Sequence, residues 1–207
     1  MIITYHGAGH IKLQVGDLTF ALGPVSKSSK KRQVKYGADV ALIPIWHPDY
    51  NGVENVTHGS KEPFVISGAG EYEISGAFIK GFETKSILDK KEYVNTSYVF
   101  NFDGMRVVYL GALHTMLAPE HKEIIDETDI LIVPVGGDDR SLNPYDANKL
   151  GVQLEPKIII PIDYNEMDLA IFLKENSAES VHAVEKLTIK SKDIAGKEGE
   201  VIVLEEI

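Results

Sequence analysis

The feature that most constrains the fold is a change of hydrophobic pattern near residue 118. Before it, short apolar stretches are joined by glycine-containing turns, as in "IKLQVGDLTFAL" and "YVFNFDGMRVVYL", which is typical of β-hairpins. After it, the helical segments "APEHKEIIDET", "NPYDANKLGVQLEP" and "NEMDLAIFLKENS" alternate with the strands "DILIVPVGG", "KIIIPID" and "EVIVLEEI". A strand-rich half followed by β-α-β units predicts two packed sheets with helices outside, a layered α/β sandwich.

Composition narrows the class of protein. With 207 residues and no internal repeat or linker, we expect a single domain over residues 1–207. The chain has no cysteine, which excludes disulfides and thiolate-bound metals. No apolar run approaches the roughly 18–20 residues of a membrane span, and the N-terminal stretch "MIITYHGAGHIKLQV" lacks the features of a signal peptide, so we expect a cytoplasmic protein with no membrane partner.

The charge balance bears on partners. A formal net charge of −10 argues against nucleic-acid binding, which depends on neutralising phosphates. The stretch "SKSSKKRQVK", residues 26–35, is a local exception that we term the basic loop. A solvated loop is the favoured interpretation of it, and an anion contact is the alternative. The pattern identifies no partner and leaves a homo-oligomer open.

One strand end carries the residues of greatest chemical interest. The apolar run "ADVALIPI" continues into "WHPDYN", which places His47 and Asp49 two residues apart where a strand ends. Such an end often presents metal ligands, yet the neighbours Trp46 and Tyr50 are poor ligands or none.

The order of segments "ITYHGAG", "ADVALIPIWHPDYN", "ISGAGEYEISGAFIKG", "VVYLGAL", "DILIVPVGG" and "EPKIIIPIDY" resembles the metallo-β-lactamase superfamily. It is most similar to the small Zn-dependent hydrolases that resemble L-ascorbate-6-phosphate lactonase. The resemblance covers nearly the whole chain and implies a four-layer αββα sandwich. It also implies two metal ions at one edge of the sandwich, whose bridging water attacks an ester, lactone, amide or phosphoester.

The metal ligands that the resemblance implies are mostly substituted here. The family motif resembles His-x-His-x-Asp-His, with an aspartate and a histidine following later strands. In this chain the substituted positions are Ile45, Tyr50 and Ala112, and the donors still present are His47, Asp49 and, in place of the late histidine, Asp163. A catalytic zinc normally has three protein ligands and an open position for water. We therefore predict loss of the dinuclear centre, no bound cofactor and a non-catalytic binding or scaffold role.

Two alternatives stay open. In the first, His47, Asp49 and Asp163 converge on one Zn²⁺, Mn²⁺ or Fe²⁺ ion in an atypical hydrolase of lactones, esters or phosphoesters. In the second, the old pocket works without metal as a small-molecule binder or enzyme.

Further residues are candidates for the lining of that pocket: Trp46, Glu71 and His114. We expect the ring of Trp46 or Tyr50 to narrow it, and Asp49 to hydrogen-bond to His47, Tyr50 or backbone N–H groups. Two adjacent carboxylates that have lost their cations should repel, so the pKa of one of them should rise.

Overall fold

A computed structural model describes residues 1–137 and 140–207 of the chain. Its strands are β1 (Ile2–Tyr5), β2 (Ile11–Val15), β3 (Leu18–Leu22), β4 (Val40–Leu42), β5 (Phe64–Ile66), β6 (Gly70–Ile74), β7 (Ala77–Leu88), β8 (Lys91–Phe102), β9 (Met105–Tyr109), β10 (Ile130–Pro134), β11 (Ile158–Ile162), β12 (Leu187–Thr188) and β13 (Glu200–Val201). They form a six-stranded sheet in the order β12-β1-β2-β3-β4-β5 and a seven-stranded sheet in the order β13-β11-β10-β9-β8-β7-β6.

The main core lies between the two sheets. Alternate residues of the facing strands point into it, and the largest are aromatic, with the rings of Phe20 and Phe100 5.9 Å apart. Tyr98 also reaches across this layer, because its hydroxyl donates to the carbonyls of Ile43 at 2.8 Å and Ile66 at 3.1 Å. This contact ties the second sheet to the end of β4.

Three α-helices are described, namely α1 (Pro119–Ile125), α2 (Pro144–Leu154) and α3 (Glu166–Glu175). Each begins with a local signal: proline occupies the first turn of α1 and α2, and the side chains of Asn143 and Asn165 accept hydrogen bonds at the starts of α2 and α3. Their apolar faces cover the outer face of the seven-stranded sheet. Among the helices of the described residues, none is long and apolar enough to cross a bilayer.

The outer face of the six-stranded sheet has a different cover. Ala21, Ala41 and Ile43 pack there against Tyr36 and Val53, the latter in a 3₁₀ turn at Val53–Asn55. The predicted α/β sandwich is confirmed. The fourth layer, over the part of the chain that the structure describes, consists of this turn and its flanking loops instead of an α-helix.

Two segments depart from the predicted elements. "EVIVLEEI" is a strand only at Glu200–Val201, and beyond it the chain makes isolated bridges to Tyr5 and Val184. The longest hairpin, β7 with β8, was not predicted as a whole. Its turn is Asp89-Lys90, with φ values of 51° and 62°. Two successive left-handed residues are usually asparagine or glycine, so the sequence carries no turn signal here.

Candidate functional site

The ends of several strands meet at one edge of the sandwich. β9, β10 and β11 are parallel neighbours, so their carboxyl ends lie together, and they lead to Ala112, Arg140 and Asp163. From the other sheet, β4 leads through Ile43 to the turn that carries Asp49. The hydrogen bonds of Asp49 and Asp163 bring these segments into one cluster.

Asp49 is held by two other segments. Its Oδ1 accepts a hydrogen bond of 2.5 Å from the hydroxyl of Ser29 in the basic loop, and its Oδ2 accepts one of 3.2 Å from Nη2 of Arg140. Its side chain is 11% exposed. The predicted partners are His47, Tyr50 or backbone N–H groups, whereas this carboxylate accepts from the side chains of Ser29 and Arg140. His47 comes no nearer to it than 4.0 Å, although the backbone N–H of Asp49 donates to Nδ1 of His47.

Asp163 is the more deeply buried carboxylate. Its Oδ2 accepts a hydrogen bond of 2.7 Å from the hydroxyl of Tyr50, and its Oδ1 lies 3.6 Å from Nη2 of Arg140. The residue has a left-handed backbone with φ of 50°, fixed by its own N–H, which donates to the carbonyl of Ala8 at 2.9 Å and the hydroxyl of Tyr5 at 3.0 Å. Both the backbone and the carboxylate of Asp163 are therefore held in place by hydrogen bonds.

Charge and burial act against each other here. Burial raises the pKa of Asp163 above its usual range, although the charge of Arg140 and the hydrogen bond from Tyr50 both lower it. The charge of Asp49 adds a smaller upward effect, so burial rather than repulsion is the main cause of the predicted rise in pKa. For Arg140, burial lowers the pKa, but the charges of Asp163 and Asp49 outweigh it and the pKa is raised.

The three substituted positions lie in contact with one another. Ile45, Tyr50 and Ala112 form a buried apolar cluster with Leu88, and Tyr93 packs against its border. The ring of Tyr50 lies directly on Gly9, where any β-carbon would collide with it. Side chains without metal-binding atoms therefore fill the space between β4, β9 and the tip of the β7–β8 hairpin, together with a phenol that donates to Asp163.

His47 is directed elsewhere. Its Nδ1 accepts the backbone N–H of Asp49 at 3.2 Å, which assigns the ring proton to Nε2. That nitrogen lies 3.5 Å from the carboxylate of Asp89 at the hairpin tip, and the ring meets Tyr93 edge-on. Nδ1, the ring nitrogen that could bind a metal ion, therefore already accepts a backbone hydrogen bond. Among the residues that the structure describes, no set of three or more histidines, aspartates or glutamates has the geometry of a metal site.

Several pocket candidates lie outside this cluster. Of the two rings that could narrow the site, that of Trp46 is 64% exposed, and that of Tyr50 is buried beside Asp163. Glu71 also lies away from the two aspartates: its exposed carboxylate pairs with Lys80 of the neighbouring strand β7 at 3.0 Å. His114 donates its backbone N–H to Lys85, and the described hydrogen bonds connect its ring to neither aspartate.

Sequence reasoning missed the residues that organise the site. Arg140 and Ser29 carry no recognisable motif, although the basic loop marks the neighbourhood of Ser29. Asn95 in β8 was also missed: its side chain accepts the N–H of Ala112 at 2.9 Å and donates to Thr84 at 2.7 Å and Leu110 at 2.9 Å. The only hint in the sequence is the polar run Asn95-Thr96-Ser97 within β8, since buried polar side chains need hydrogen-bond partners. Asp138 and Asp139, next to Arg140, lie outside the described residues.

Two cavities lie elsewhere in the described part of the molecule. One of about 550 Å³ lies beside the β7–β8 hairpin, lined by residues such as Thr84, Tyr93 and His121. Another of about 690 Å³ lies between the C-terminal ends of α2 and α3. Neither is lined by Asp49 or Asp163.

Comparisons with known proteins agree with the architecture. A family model described as a beta-lactamase superfamily domain matches residues 2–163. A UPF0173 metal-dependent hydrolase of Lysinibacillus sphaericus (strain C3-41) is 26% identical, and the match covers 86% of this chain and 94% of that protein. These matches confirm the superfamily resemblance that the segment order predicts.

Solved structures give the same result. A Thermotoga maritima protein, provisionally described as a Zn-dependent hydrolase of the metallo-β-lactamase superfamily, is 29% identical with a TM-score of 0.78, covering 98% of this chain and 97% of its own. A Parabacteroides distasonis protein, provisionally described as a metal-dependent hydrolase, is 19% identical with a TM-score of 0.71, covering 99% of this chain and 92% of its own. The second likeness shows the fold alone.

Proposed function

Because this chain belongs to the metallo-β-lactamase superfamily, we propose that it is a member without the paired metal centre and acts as a non-catalytic binding or scaffold protein. Its relatives are named as metal-dependent hydrolases, so the proposal concerns how this chain differs from them.

The observation that carries the proposal is the apolar cluster of Ile45, Tyr50 and Ala112. Ile45 and Ala112 have no donor atom, and Tyr50 uses its hydroxyl proton on Asp163. A zinc ion binds nitrogen, sulfur or carboxylate oxygen, and two ions need two sets of such donors. The residues present therefore do not fit a dinuclear centre.

A single-metal hydrolase is the second candidate, and the convergence of Asp49 and Asp163 on one nitrogen of Arg140 favours it to a limited degree. It requires that Arg140 leave both carboxylates and that the ring of His47 turn from Asp89. The metal-free binder is the third candidate, and it requires that a ligand displace Arg140 from the carboxylates of Asp49 and Asp163.

The test is metal content together with hydrolysis. The purified natural protein is assayed by elemental analysis, then supplied with Zn²⁺, Mn²⁺ or Fe²⁺ and offered a lactone and a phosphodiester. We expect well under one equivalent of tightly bound metal and no metal-dependent turnover. If turnover is measured and His47→Ala abolishes it while the exposed-residue control His182→Ala does not, the single-metal hydrolase is right and the proposal is wrong.

A variant with restored ligands provides the positive control. The changes Ile45→His, Tyr50→His, Ala112→Asp and Asp163→His place donors at all the substituted positions. This variant should bind zinc more tightly than the natural protein. Equal zinc binding by the two proteins would show that these substitutions are not what keeps the metal out.

A further inference from the structure

All four carboxylate oxygens of Asp49 and Asp163 have a partner within the chain. The outer two accept hydrogen bonds from hydroxyls, Ser29 on Asp49 at 2.5 Å and Tyr50 on Asp163 at 2.7 Å. The inner two face the same atom, Nη2 of Arg140, at 3.2 Å from Asp49 and 3.6 Å from Asp163. One positively charged nitrogen thus lies between two buried carboxylates.

Two carboxylates in a desolvated site are stable only if a cation or a proton accompanies them. The guanidinium is always protonated and is less strongly hydrated than an ammonium, so it is well suited to a buried ion pair. The side chain of Arg140 is 32% exposed, whereas those of Asp49 and Asp163 are 11% and 3% exposed. The arginine therefore enters from the surface and covers the pair.

We infer that Arg140 is the built-in cation of this site: it holds Asp49 and Asp163 together and competes with divalent metal ions for the same two carboxylates. The inference rests on the proposed absence of the paired metal centre. It adds that Arg140 holds this edge of the sandwich together, and that removal of its side chain exposes a latent divalent-cation site.

Hydrogen bonds to acidic side chains, including Asp49, hold the basic loop in place. Ser29 links the loop to Asp49, and Ser26 links it to Glu54 at 2.9 Å. The side chain of Gln33 donates to two carbonyls within the loop. Because Asp49 binds the loop through one oxygen and Arg140 through the other, loss of Arg140 should loosen the loop as well as the turn.

The experiment compares Arg140→Met and Arg140→Gln with the natural protein, with Zn²⁺ as the probe. Binding is measured by titration calorimetry and stability by thermal unfolding with and without zinc. Trp46 is the single tryptophan of the chain and adjoins His47, so its fluorescence reports locally on zinc uptake. Without zinc both variants should melt at a lower temperature than the natural protein, because an uncompensated buried charge pair remains.

With zinc, both variants should regain several degrees of melting temperature and bind the ion at least about tenfold more tightly than the natural protein, whose melting temperature should not change. The double change Arg140→Met with Asp163→Asn should remove this response. Arg32→Met is the matched control, since the guanidinium of Arg32 binds a backbone carbonyl of Glu206, and it should behave like the natural protein.

Three results would overturn the inference: Arg140 variants as stable as the natural protein, variants whose stability and affinity do not respond to zinc, or a zinc response that survives Asp163→Asn. If the variants do not fold without metal, refolding yields with and without zinc replace the melting curves, and no recovery with zinc also counts against it. Metal-dependent hydrolysis by the natural protein would instead remove the proposed function, so the two failures can be told apart.

Discussion

Tyr50→Phe is the smallest change that tests the energetics of the site. It removes one hydroxyl, the donor of the 2.7 Å hydrogen bond to Asp163, and keeps the ring that packs on Gly9 and Ala112. The ring is fully buried and Asp163 is 5% exposed, so water does not readily replace the lost donor.

The magnitude follows from the charge of the acceptor. A hydrogen bond to a charged group contributes about 1.5–3 kcal/mol, and a buried acceptor left without its donor adds a desolvation cost. We therefore expect Tyr50→Phe to lower the free energy of unfolding by about 2–3 kcal/mol. For a chain of this size that corresponds to a fall in melting temperature of roughly 4–12 °C.

The assay is urea unfolding at neutral pH, with Tyr109→Phe as the matched control. Tyr109 is equally buried, and its hydroxyl donates at 2.9 Å to a neutral acceptor, the carbonyl of Gly9. The loss at Tyr109 should be nearer about 1 kcal/mol. The difference between the two variants isolates the effect of the carboxylate charge.

The reasoning is refuted if Tyr50→Phe costs no more than Tyr109→Phe. That result would mean that Asp163 is protonated in the folded protein at neutral pH, or that its Oδ2 finds another donor. Asp163→Asn separates these explanations. If Asp163 is protonated, the neutral asparagine should be tolerated without loss of stability.

Two further predictions concern buried polar residues near the site. Asn95→Ala removes the acceptor of the Ala112 N–H and the donor to Leu110, so urea unfolding should show that the free energy of unfolding falls by about 2–4 kcal/mol. The control Asn101→Ala, at an exposed position on the same strand, should change it little. An equal loss in the two variants would contradict the assigned role of Asn95. Burial, with a smaller effect of His6, holds the pKa of His10 well below its usual 6.5, so the unfolded chain takes up a proton that the folded protein does not, and stability falls as the pH drops below that value. In His10→Phe the loss of stability between about pH 7 and about pH 5.5 should be smaller than in the natural protein, and an unchanged pH dependence would disprove the assignment.

The sequence predicted the elements whose signals are local. The Asn143-Pro144 pair marks the start of α2, and the run "KIIIPID" marks β11, because caps and apolar runs act over a few residues. The turn at Asp89-Lys90 was missed, and β13 was predicted to be too long, for the converse reason. A left-handed aspartate and lysine are maintained by the pairing of two twelve-residue strands, and the length of β13 depends on its partner β11.

The candidate site divides in the same way. Residue identity alone determined that Ile45 and Ala112 offer no metal-binding atom, and that Asp49 and Asp163 follow apolar strands. Only the tertiary structure showed that Arg140 donates to Asp49, which lies 91 positions earlier in the chain. The same holds for Tyr50, which donates to Asp163, 113 positions later. Donor chemistry is a property of single residues, whereas the partner of a buried charge is chosen by strand ends that meet only after both sheets have formed.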